Sequence, residues 1–127
     1  KKSVAPTDKQ HEKIMRILEF GISQGKDYSS HGINIEHIKN RDYVLHVPVP
    51  SEQAPTGYKG RLGVFEAIAA DRDIEEIIPN NPSEREIREI AAKQKFLTMQ
   101  EDGVIKSLKG ITTLEEVERS VDLSEAY

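Results

Sequence analysis

With 127 residues, 36% of them apolar and 31% charged, the chain is long enough to bury about two thirds of its unfolded surface in one core. It has no cysteine, which excludes a disulfide framework, a thiolate zinc site and a cysteine nucleophile. The net charge of −4 divides into +3 over residues 1–63 and −7 over residues 64–127, and the acidic half opposes a nucleic-acid or anionic-membrane surface.

Residues 1–6 show no periodicity and read as a linker. Thr7 or Asp8 supplies an N-cap, and Ile14, Ile17 and Leu18 form an apolar stripe at helical spacing that Phe20 and Gly21 end. Residues 21–34, rich in Gly, Ser and Asp, read as loop, and Ile35–Lys39 as one helical turn. From Tyr43 to Val49 the period changes to two, so an edge strand is expected, with Pro48 lacking the N–H of a central one. After the turn-rich residues 51–60, Arg61–Ile68 reads as a second strand centred on Leu62, Val64, Phe65 and Ile68.

The rest has helical spacing. Asp71–Ile78 stops before Pro79, and Ser83 with Glu86 forms a capping box that starts a helix running to Lys95. Ile87, Ile90 and Ala91 make its expected buried stripe, with Glu84/Arg88 and Arg85/Glu89 as i,i+4 pairs on the wet side. A helix over Thr98–Leu108 follows, closed by Gly110. Thr112 or Thr113 then caps the last one, with Leu114, Val117 and Val121 inward and Leu123–Tyr127 as a frayed tail. The fold class is therefore α+β: a small β-hairpin or sheet, then a helical C-terminal half of three to four short helices.

One passage looks like a motif. Gly57, Gly60 and Gly63 recur every third position around Tyr58, Lys59, Arg61 and Leu62, and backbone N–H groups of such a turn could hold an anion. The phosphate-loop grammar fails, because the glycine spacing is two, Lys59 precedes Gly60, and a strand follows where a helix should open. A tight turn entering a strand is preferred. The four histidines, His11, His31, His37 and His46, lack convergent ligand spacing and read as surface residues, so no metal is assigned. Helix-turn-helix DNA binding fails on sign: the would-be recognition helix carries Glu115, Glu116 and Glu118 against Arg119. Gly103, beside Asp102, costs about 1 kcal/mol inside a helix, so either the helix starts after it or a neighbour packs closely there. No catalytic residue is identified.

Thr56–Glu66 (Thr-Gly-Tyr-Lys-Gly-Arg-Leu-Gly-Val-Phe-Glu) resembles the T-G-Y-K-G-R-x-G-x-x-E segment of the type II secretion and type IV pilus assembly ATPases. Ser83–Ala92 resembles the family's following helix, Gln100–Gly110 its E-D-G-hydrophobic-x-K-x-x-x-G run, and Ile111–Arg119 its G-I-T-(S/T)-x-E-E-V-x-R ending. The blocks occur in order over residues 54–121, about half the chain.

The resemblance implies a C-terminal segment of a hexameric cytoplasmic motor whose Walker A loop, acidic boxes and histidine box lie upstream and do not occur here. ATP and magnesium are then cofactors of the parent, with none in the fragment. Gly57, Tyr58, Lys59, Gly60, Arg61, Gly63 and Glu66, with Asp102 and Gly103, fall on the family's motifs as interaction or structural positions; Arg61 is left to a neighbouring subunit or to a phosphate. Residues 1–53 correspond to an N-terminal helix plus the family's metal-binding insertion, and 54–127 to a strand plus helical segment of the ATPase domain. Pro50 and Gln53 stand where the family's second C-x-x-C pair would be, so zinc is not expected. The implied partners are the rest of the ATPase core, neighbouring subunits and the platform or regulatory proteins of the inner membrane. Neither nucleic acid nor direct membrane insertion is implied. The competing class is a free-standing protein-binding adaptor, and a weaker one is an anion or nucleotide sensor at Lys59 and Arg61. A reading frame of about 400–600 residues with an upstream P-loop separates the first class from the second.

Overall fold

Thr7 starts the first helix by a reciprocal pair of bonds. Its Oγ1 accepts from the Gln10 N–H (3.2 Å), while Gln10 Oε1 accepts from the Thr7 N–H (2.9 Å). The helix, α1 (Asp8–Ser23), buries Ile14, Ile17, Leu18 and Gly21 on one face. Gly21 lies within it, so the helix runs past the end expected at Phe20–Gly21. These and all following contacts come from a computed structural model, which describes residues 2–58 and 60–126.

The order of elements is β1 (Lys2–Val4), α1, a 3₁₀ turn at Ser29–His31, α2 (Ile35–Lys39) and β2 (Leu45–Val47). They are followed by α3 (Arg72–Ile77), a 3₁₀ turn at Ile78–Asn80, α4 (Glu84–Gln94), α5 (Met99–Leu108) and α6 (Leu114–Ser120). The class is α+β, as expected, but the sheet is built differently. β2 pairs antiparallel with β1, Val4 opposite Leu45 and Lys2 opposite Val47, so the opening residues read as a linker form a strand. Arg61–Ile68 is not a strand among the described residues: it runs without a ladder partner. Its alternation is that of a strand, but the partner of β2 comes from more than 40 residues upstream, where local pattern says nothing.

The core joins α1, Tyr28, Ile33, Ile38 and Leu45 to Val104, Ile105, Leu114, Val117, Val121 and Leu123. Two further expectations are corrected. α4 has no fully buried residue, and Ile87 is 37% exposed. The tail is pinned rather than frayed: Leu123 is buried and Gln100 Nε2 donates to the Asp122 carbonyl (2.7 Å) and to the Glu125 carbonyl (2.5 Å).

Candidate functional site

Thr98 caps α5, its Oγ1 accepting from the Glu101 N–H (3.2 Å) while Glu101 Oε1 accepts from the Thr98 N–H (3.1 Å). The turn that follows presents Glu101, Asp102 and Gly103 in succession. Consecutive helical residues are rotated by about 100°, so three neighbours in sequence face three directions. Each meets a different part of the chain.

Glu101 turns inward. Lys26 Nζ donates to its Oε1 and the Tyr28 hydroxyl to its Oε2, with the Lys26 and Glu101 side chains only 4% and 3% exposed. Burial, and then the carboxylate that takes its proton as a hydrogen bond, push the Tyr28 hydroxyl far above its ordinary pKa. Gly21 completes the cluster, since a Cβ there would collide with the Tyr28 hydroxyl.

Asp102 turns toward the motif. Its Oδ2 accepts from the Phe65 N–H (3.0 Å) and from Lys106 Nζ (2.7 Å), one turn on. Lys106 Nζ also donates to the Gly63 carbonyl (2.8 Å) and lies 5.2 Å from the centroid of the Phe65 ring. Glu66 Oε2 accepts from the Met99 N–H (3.0 Å), the first of the helix's unpaired donors. Gly103 faces α6, where a Cβ would lie 2.5 Å from Val117 Cγ1. The close approach, not a late helix start, explains this glycine.

Gly63, Glu66 and Asp102 are thus brought together, with Gly103 on the adjoining face. Tyr58 joins elsewhere: its hydroxyl is 2.9 Å from Oγ1 of Thr113, which caps α6. Gly57 and Gly60 take φ of 84° and 76°, left-handed values that make the passage a turn. Arg61 is exposed and makes no hydrogen bond or ion pair among the described residues. Lys59 lies outside the described residues. Glu101 and Lys106 stand in the E-D-G-hydrophobic-x-K run but were not among the candidate site residues, and Lys26 and Tyr28 fall outside every motif. The Thr98-x-x-Glu101 spacing was the available signal for Glu101, whereas Lys26 and Tyr28 sit in a loop with no period to mark them.

Beside this hub runs an open groove of about 730 Å³ between α4, residues 66–68 and the end of α1, its floor formed by Phe20, Ile68, Ile87, Ala91 and Phe96. Leu62 and Phe65, in the segment that leads to the groove's Glu66–Ile68, are 51% and 70% exposed. Among the described residues no three His, Cys, Asp or Glu side chains are grouped to hold a metal ion, and no helix is long and apolar enough to cross a membrane. The chain has no cysteine, so its residues do not fit a four-cysteine zinc site.

The family described as type II/IV secretion system protein matches residues 7–119. A type II secretion system protein E of Xanthomonas campestris is 37% identical over 114 residues, 85% of this chain and 20% of the relative. The type IV pilus assembly ATPase PilB of Thermus thermophilus is 48% identical over 62 residues, 49% of this chain and 7% of the relative. PilB of Pseudomonas aeruginosa is 36% identical over 77 residues, 61% and 14% of the two chains. The chain therefore spans a fifth or less of the length of these relatives. No solved structure matches it. With the family match running through the loop, the motif and the three-way turn of α5, the chain belongs to the type II/IV secretion system protein family.

Proposed function

We propose that the chain is a non-catalytic, C-terminal part of a cytoplasmic hexameric ATPase that powers type IV pilus assembly or type II secretion. On this reading the apolar strip from Leu62 to Ile68, with the adjoining groove, docks on the rest of the ATPase. One observation carries the reading: a segment with strand alternation lies unpaired and exposed, yet is held in place by Asp102, Lys106 and Glu66. An unpaired segment with alternating apolar side chains is a template for strand addition or for burial against a partner. ATP and magnesium would be bound by residues outside this chain, because no phosphate-loop sequence occurs within it. The partners would be the ATPase core, neighbouring subunits and the membrane-associated proteins of the machine.

The test is a Leu62→Glu/Phe65→Glu double substitution in the protein at its native length. Both side chains are largely exposed, so helical content and melting temperature should hold. ATP turnover and the hexamer fraction should each fall at least about tenfold, the effect of ~1.4 kcal/mol of lost docking. Unchanged turnover and assembly would reject the reading.

A further inference from the structure

The first turn of α5 holds two segments that are about 40 residues apart in sequence. The loop at Lys26–Tyr28 is anchored on Glu101, and the segment Gly63–Glu66 on Met99 and Asp102 of that turn and on Lys106 one turn on. We propose that this turn is a coupling element: the loop and the segment order and release together, so that docking of the segment is transmitted to the loop. The coupling itself is a property of the fold; only its use rests on the function proposed above.

The donors and acceptors of one helix end link the two segments. Glu66 supplies the acceptor for the Met99 N–H, and Glu101 the acceptor for the Thr98 N–H. If Gly63–Glu66 lifts away, Met99 loses its cap, Asp102 loses the Phe65 N–H, and the turn that orients Glu101 loosens. Lys26 then faces a displaced carboxylate. A buried ammonium without its partner is strongly disfavoured, so the loop must open and hydrate it. The reverse order has the same logic: withdrawal of Lys26 and Tyr28 leaves a buried Glu101 carboxylate that escapes only by unwinding the turn that holds Gly63–Glu66. Lys26, Glu66 and Thr98 also line the same groove, so an occupant there would meet both anchors at once.

Peptide-resolved hydrogen exchange on the native-length protein, without nucleotide, tests this. Glu66→Ala removes only the exposed anchor; protection should drop about fivefold over residues 61–66 and also over 26–33, where no contact was removed, with α1 and α6 unchanged. Tyr28→Phe, a deletion of one hydroxyl, should give the reciprocal pattern. Glu66→Gln retains an acceptor oxygen and should restore protection at both places. A change confined to the mutated segment, or a uniform rise over the whole chain, would overturn the coupling. Neither readout involves ATP turnover, so the coupling and the proposed function fail separately.

Discussion

A methyl group on Gly103 would sit 2.5 Å from Val117 Cγ1, inside the repulsive wall, and Val117 is a stiff β-branched side chain only 3% exposed. Alanine gains about 1 kcal/mol of helix propensity over glycine. Overpacking a close helix contact costs about 1–3 kcal/mol. The clash should win, so Gly103→Ala is expected to destabilise by ~1 kcal/mol, read from the denaturant midpoint at constant slope. In a Val117→Ala background the same substitution should turn neutral or stabilising; an equal penalty there would mean that Val117 is not the obstacle. His11 gives a second residue-scale test. Its Nδ1 lies 2.9 Å from the Tyr43 hydroxyl with the rings stacked, and burial, then the Arg41 charge, hold its pKa below 6.5. The fold therefore favours neutral imidazole. Its contribution to stability is fully present above pH 6.5 and is lost as the pH falls through the lower native value. A proton titration followed by NMR should place His11 below 6.5 and move it up in Arg41→Gln; a native value above 6.5 would reverse the sign.

At the scale of elements, what could be read from the sequence was what is local. The caps at Thr7, Ser83, Thr98 and Thr113 each accept from the backbone N–H three residues on, and the helices begin where these residues place them. Ile35–Lys39 is a single helical turn, and the pairs Glu84/Arg88 and Arg85/Glu89 close at 2.7 and 2.9 Å. What was not legible is non-local. The alternation in Arg61–Ile68 marks a segment that wants neighbours on both faces, but it cannot say whether the chain itself supplies them. The stripe of Ile87, Ile90 and Ala91 has the same ambiguity: period 3.6 shows that α4 has an apolar face, not what covers it. Lys26 was hidden for another reason. A lone lysine in a polar loop reads as solvated, and only a carboxylate delivered from 75 residues away makes its burial tolerable. The glycines and carboxylates of the candidate site were visible as a family pattern, but their division of labour on the α5 turn needed the three directions of a helix.

For the whole molecule, the family resemblance implies a division into residues 1–53 and 54–127, whereas the buried cluster is drawn from both. Seven of its thirteen residues precede residue 54: Ile14, Ile17, Leu18, Tyr28, Ile33, Ile38 and Leu45. A piece comprising residues 54–127 alone would lose this half of the apolar core and the ammonium that neutralises Glu101. It would also expose Val104 and Ile105 on the face of α5 that α1 covers. A chain of about 70 residues has little surplus stability to absorb such losses. The 1–127 chain is expected to melt in one cooperative step. The 54–127 piece should show a broad, non-sigmoidal loss of helix signal and poorly dispersed amide resonances. Restoring residues 1–53 as a separate peptide should recover the cooperative step only if the two halves assemble around the Lys26–Glu101 pair, so Glu101→Leu should block that recovery. A sharp melt with dispersed resonances from 54–127 by itself would instead make it an independent domain, and the loop on Glu101 an accessory to a core that is already complete.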